Sequence, residues 1–158
     1  MKLKIGLFVF LSVMLPSGFT HSEPLELYWE DLLPEGYVSE ETFTEIDHNN
    51  PMAQLYANAP VRTDLNGKTV KVPGFVVPLE GDEEKLTEFL LVPFFGACIH
   101  VPPPPSNQII YVNFPDGTIV DDLYDAVWIT GTLHTEGWKG DLASVGYNMT
   151  GMTVELFE

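Results

Sequence analysis

From Gly67 to the C-terminus the chain consists of short apolar runs separated by turn residues, and this spacing restricts the possible folds more than any other feature. Thr69–Leu79 is rich in Val and Phe, and the Pro73-Gly74 pair in its middle predicts a bulge or a sharp bend on an edge. Gly81-Asp82-Glu83-Glu84 reads as a turn. Glu88–Val92 and Ile109–Phe114 read as short strands, the second ended by Pro115-Asp116-Gly117. Asp121–Asp125 reads as a helical turn. In Ala126–Leu133 the residues alternate, with Val127, Ile129, Gly131 and Leu133 on one side and Trp128, Thr130 and Thr132 on the other. In the last strand Tyr147 and Met149 share one phase, while Met152, Val154 and Leu156 take the other. A bulge near Gly151 would bring both sets to one face. Five strands, a glycine-broken first strand and a short helical connection before the fourth predict a mostly β fold, a small OB-like five-stranded barrel. A β-sandwich is the alternative, which periodicity does not separate from it.

Residues 23–66 are rich in acids, Pro and Asn, with too few apolar residues for a core of their own. They are expected to form an N-terminal extension packed on the main domain, residues 67–158. Leu27–Leu33 suggests a helical turn before Pro34. Ser39 is placed to cap a short helix through Thr42–Ile46. Asn50-Pro51 is a good helix start, with Met52, Leu55 and Tyr56 sharing a face after it.

Residues 1–22 have the layout of a secretory signal peptide. Lys2 and Lys4 precede an apolar run, Ile5–Leu15, and small residues Thr20 and Ser22 stand before a cut at Glu23. The run falls short of the ~20 residues that cross a bilayer, and no later run is long and apolar enough. The mature chain is therefore expected in the periplasm without a membrane span. With no cysteine at the cut, it is not expected as a lipoprotein. Cleavage removes two of the seven Lys and Arg and none of the 23 Asp and Glu, leaving five against 23, a net charge of −18. Such a surface repels nucleic acid and anionic lipid and attracts cations and basic partners.

The densest chemistry lies in Phe94–Gln108, which reads FFGACIHVPPPPSNQ. Cys98 is the only cysteine, so it is a buried apolar filler, a reactive thiol, a metal ligand or half of an intermolecular bridge. In an extended chain Cys98 and His100 point to the same face, about 6–7 Å apart at ~3.3 Å per residue. Zinc or copper(I) bridges such a gap, and thiolate and imidazole are ligands these ions favour. His134, at the end of the best-formed strand, is the candidate third ligand. Pro102, Pro103, Pro104 and Pro105 fix φ over four residues and give no backbone donor, predicting a stiff polyproline II arm, or a guard on a barrel edge. Asn107 and Gln108 follow, with amides that orient a ligand or satisfy backbone groups. These residues are the candidate binding loop.

Three blocks carry a resemblance. They are Gly74-Phe75-Val76-Val77-Pro78-Leu79, Glu88-Phe89-Leu90-Leu91-Val92-Pro93, and the string from Gly96 through Cys98-Ile99-His100-Val101 and the four prolines to Ser106-Asn107-Gln108. Together with Trp29-Glu30-Asp31-Leu32-Leu33-Pro34, Trp128–Leu133 and Tyr147–Leu156, they closely resemble the bacterial exported proteins catalogued as domain of unknown function 3299. The resemblance implies a periplasmic protein or lipoprotein of Gram-negative bacteria, in a family some of whose members lie beside transporter components and metal-responsive genes. It carries no agreed activity. The preferred expectation is a periplasmic accessory protein that handles zinc or copper(I) through the Cys98–His100 pair; the alternatives are a thiol-dependent enzyme using Cys98 and a non-catalytic interaction module for an envelope or transporter partner. The lack of a second cysteine and the negative charge lean against the enzyme.

Overall fold

A computed structural model describes residues 23–37, 53–54, 56–82 and 84–158. Residues 1–22, read as a signal peptide, the expected Ser39-capped helix and the expected helix start at Asn50-Pro51, with Met52 and Leu55, lie outside the described residues. Eight strands follow in order: β1 (Leu25–Glu26), β2 (Thr69–Gly81), β3 (Leu86–Val92), β4 (Ile110–Thr118), β5 (Val127–His134), β6 (Trp138–Lys139), β7 (Ser144–Val145) and β8 (Tyr147–Leu156). Three short 3-10 helices, Trp29–Leu32, Thr63–Leu65 and Ser106–Gln108, are the only helical elements among the described residues. None of them is long and apolar enough to cross a membrane.

Five strands close a barrel in the order β2-β3-β4-β8-β5, and β5 returns to β2. All pairings are antiparallel except β4 with β8. Closure with this one parallel contact is the OB topology, and it removes the sandwich alternative.

The long β2 belongs to both ends of the sheet. Thr69–Gly74 pairs with β5, and Phe75–Gly81 pairs with β3. The Pro73-Gly74 pair is therefore neither a bulge nor an edge, as the sequence suggested, but the point where β2 exchanges one neighbour for the other. Gly74 permits this because a Cβ there would lie 2.7 Å from the Val92 carbonyl oxygen. The register shifts come later: Leu79 is the extra residue of β2 between Pro78 and Glu80, and Thr87 that of β3 opposite Glu80 and Gly81. The bulge expected near Gly151 is present. Thr130 and Gly131 of β5 face Thr153 and Gly151, which leaves Met152 as the extra residue. Tyr147 and Met149 are buried and Val154 packs on the core, whereas Met152, in the bulge, and Leu156, at the strand end, are exposed. β4 runs past the predicted stop at Phe114 as far as Thr118, which pairs with Leu86. Asp121–Asp125 is not helical; the Asp122 carboxylate accepts the Tyr124 N–H at 2.8 Å and closes a side-chain turn.

Strand alternation produces two apolar layers. Val72, Val76, Phe89, Leu91, Ile129 and Leu133 fill the barrel. On the outer face Val77, Leu90, Val92 and Ile109 are also buried, covered by Ala97 and Cys98 from the β3–β4 connection and by Ala143 and Val145 from the β6–β7 hairpin. Burial on both faces explains the unbroken Phe89–Val92 run.

The N-terminal extension packs on this body. β1 pairs parallel with Val70 and Lys71 of β2, and Leu27 and Leu32 enter the inner core. The Trp29 indole donates to the Pro73 carbonyl at 2.8 Å. Fully buried Tyr147 ties extension and barrel together: its hydroxyl donates to the Leu32 carbonyl at 2.6 Å and accepts the Arg62 N–H at 2.7 Å. Tyr147→Phe leaves both groups without this partner, and we expect it to lower unfolding stability by about 1–3 kcal/mol. Urea unfolding checks this; an unchanged midpoint would show that the extension is not held by this hydroxyl.

Candidate functional site

After β3 the chain folds back tightly. The Ile99 and His100 N–H groups both donate to the Gly96 carbonyl, at 3.3 and 2.8 Å, and Ala97 bridges to Val101. Cys98 lies inside this turn at φ +66°, a left-handed conformation that costs a non-glycine residue roughly 1–2 kcal/mol. The extended geometry that would aim Cys98 and His100 at one face is therefore not what this segment adopts. Cys98 points inward and is only 6% exposed, among Val77, Leu90, Val92 and Ile109, whereas His100 is exposed. Burial pushes the Cys98 thiol up from 9.0 to about 11. His134 ends β5, half-buried and opposite Asn148. Among the described residues, no three His, Cys, Asp or Glu side chains come together as a group able to hold a metal ion.

The rest of the candidate loop forms a clasp. Pro102 is exposed, Pro103 and Pro104 are buried, and Pro105 leads into the 3-10 helix Ser106–Gln108. Gln54 of the extension donates to the Pro104 and Ser144 carbonyls, both at 2.8 Å. The Ser106 hydroxyl accepts the Ala59 N–H at 2.9 Å, and its carbonyl accepts the Gly146 N–H at 2.6 Å. Buried Asn107 donates to the Pro60 carbonyl at 2.8 Å, and Gln108 to the Trp29 carbonyl at 2.9 Å. The donor ends of both amides satisfy backbone carbonyls, while Asn107 Oδ1 is buried without a hydrogen-bond partner.

The outside of the turn is apolar. Phe94, Phe95, Ile99 and Val101 are each 40–53% exposed. The Phe95 ring stands 6.0 Å from Phe75 and 5.2 Å from Tyr124, itself 73% exposed. Farther along the same sheet face a groove of about 280 Å³ opens between the β2–β3 end and the β6–β7 hairpin, lined by Leu79, Glu80, Glu88, Trp138, Gly140, Asp141 and Leu142. Its residues did not stand out in the sequence. A two-residue strand such as β6 has no periodicity, and Glu80 and Glu88 meet only through the register of β2 with β3.

The family described as "Protein of unknown function (DUF3299)" matches residues 29–156. The chain belongs to this family. A DUF3299 family protein from Pseudomonas aeruginosa PAO1, known from its crystal structure, is 41% identical, with a TM-score of 0.75 over 87% of this chain and 98% of that one. No curated protein matches. The match spans every element that builds the turn and the clasp, and the Gly96–Gln108 string lies within it, where it covers part of the outer sheet face.

The buried thiol has a measurable consequence. Between pH 9 and 11 the unfolded chain loses the Cys98 proton while the folded chain keeps it, so stability falls as pH rises through that window. We expect Cys98→Ala to flatten this part of the stability–pH curve, and alkylation of the native thiol to stay slow until the pH approaches 11. Fast alkylation at pH 8 would show an open, low-pKa thiol.

Proposed function

We propose that this DUF3299 protein is exported by removal of residues 1–22 and acts in the periplasm as a non-catalytic interaction module for an envelope protein, a transporter component being the leading class. The observation that carries this reading is the exposed apolar surface of Phe94, Phe95, Ile99 and Val101 on a turn held from behind by a packed layer, joined by Tyr124 of the β4–β5 connection against Phe95. Aromatic groups on a rigid base are the usual anchors of protein interfaces, and contiguous exposed apolar patches mark such sites. The negative charge disfavours nucleic acid and anionic lipid as the partner. The buried, high-pKa thiol disfavours an enzyme that uses Cys98 as nucleophile.

A second reading, the binding of zinc or copper(I) in metal handling, keeps one supporting observation: Cys98 and His100 share a single turn. The turn must open to bring the thiolate out beside the imidazole, and further ligands must come from another molecule.

A photo-crosslinking residue at Ile99, in cells exporting the protein, is expected to give a discrete adduct that the exposed β8 position Thr153 does not give. Phe95→Ala with Tyr124→Ala is expected to abolish it. No adduct from Ile99, or the same adduct from both positions, would sink the docking reading. In a zinc and copper(I) titration, the reduced mature protein is expected to bind no tighter than its Cys98→Ala/His100→Ala variant. A tenfold advantage for the wild type would establish the metal reading instead.

A further inference from the structure

On OB barrels the face of the second and third strands, with the loops that flank it, is where oligonucleotides and oligosaccharides bind. The corresponding strands here are β3 and β4, and most of their outer face is covered by the Cys98 turn and the β6–β7 hairpin. The groove at the far end is the part of this face left open, and its chemistry is the reverse of a nucleic-acid site. Leu79, Leu142 and the edge of Trp138 make apolar walls. Trp138 is fixed between Tyr111, stacked at 4.7 Å, and Gly140, where an added Cβ would meet the indole ring. Glu80 and Glu88 stand directly opposite each other across β2 and β3, an arrangement of like charges that destabilises a sheet. Asp141 adds a third carboxylate from the hairpin. None of the ion pairs among the described residues involves these three acids, and the Tyr111 hydroxyl donates a hydrogen bond to Glu88. The three acids do not form a group that could hold a metal ion.

We propose that this groove receives a lysine or arginine side chain from an extended segment of a partner protein. The alkyl stem lies along Leu79, Trp138 and Leu142, and the charged head sits between Glu80, Glu88 and Asp141. Long basic side chains are built for such a site, apolar along the stem and cationic at the tip. A spread guanidinium or a mobile ammonium can meet carboxylates that form no metal-holding group. The cation also relieves the Glu80–Glu88 repulsion. The inference does not depend on the apolar docking surface around Phe95.

The test uses the full mature chain and an acetylated, amidated pentapeptide carrying two arginines spaced by leucine and alanine. The indole N–H of Trp138, assigned with Trp138→Phe, is followed by two-dimensional NMR. The expected result is a saturable shift that weakens at least tenfold when citrulline, the neutral isostere, replaces arginine, and at least tenfold in Glu80→Gln/Glu88→Gln. Asp141→Asn, on the exposed hairpin, gives a second weakened variant should the double one fold poorly. Phe95→Ala is expected to bind the peptide like the wild type, so failure of this site and failure of the docking reading are told apart. Equal binding of the citrulline peptide, undiminished binding by the carboxamide variants, shifts that bypass Trp138, or an equal Trp138 response to millimolar calcium would each overturn the proposal.

Discussion

The architecture depends on the close approach of β2 to β3 at Gly74. One strand serves two neighbours only if its backbone passes within van der Waals distance of the Val92 carbonyl, which a side chain at residue 74 would prevent. Pro73 adds to this: it has no N–H to leave unpaired, and its carbonyl is taken by the Trp29 indole of the extension. The transfer turns a sheet into a closed barrel and removes the exposed edges that a sheet of this length would otherwise present. It also creates the need met by the rest of the chain. Beyond Gly74 the outward residues Phe75, Val77 and Leu79 are apolar, as are Leu90 and Val92 beside them, so the outer face requires a cover.

The segment from Phe94 to Gln108 provides that cover and also fastens the extension. Four consecutive prolines remove four backbone donors from a stretch that crosses the barrel without joining a strand, so none of those donors needs a partner. The three polar residues after them spend their hydrogen bonds on carbonyls and N–H groups of other segments: residues 59 and 60, Trp29, and Gly146 at the start of β8. This distribution of bonds serves assembly of the extension on the barrel. Any ligand or partner then meets what the assembly leaves outside, the aromatic turn at one end and the acidic groove at the other.

How much of this could be read in advance follows from the range of each interaction. The β class, the barrel, the bulge opposite Gly131 and the outward side of Trp128 depend on period-two patterns local to each strand, and those patterns are visible. The double burial of Phe89–Val92 was also present in the sequence, as an apolar run without alternation. The geometry of Cys98 and His100 was not. Extended chain and tight turn are both compatible with Gly-Ala-Cys-Ile-His, and the choice depends on the Val77–Leu90–Val92 surface that Cys98 packs against, which exists only once β2 and β3 pair. The groove was hidden for a similar reason. Asp141 and Trp138 reach Glu80 and Glu88 only through tertiary packing of a hairpin too short to have a pattern.

The left-handed conformation of Cys98 bears on why a cysteine stands there. Glycine would suit the backbone better, avoiding a cost of roughly 1–2 kcal/mol. It would also leave a hole under the turn where the Cβ and Sγ now fill the outer layer, and burial of a group that size is worth about 1 kcal/mol or slightly more. Serine would place an unpaired hydroxyl in an apolar layer, and a larger side chain would lift the turn away from the sheet. A compact, polarisable thiol satisfies the packing with the least polarity. The side chain that looks most reactive in the sequence thus also fills volume in the outer apolar layer. What the turn offers to solvent is the opposite face, where Phe95 and Ile99 lie exposed because Cys98 holds the loop down.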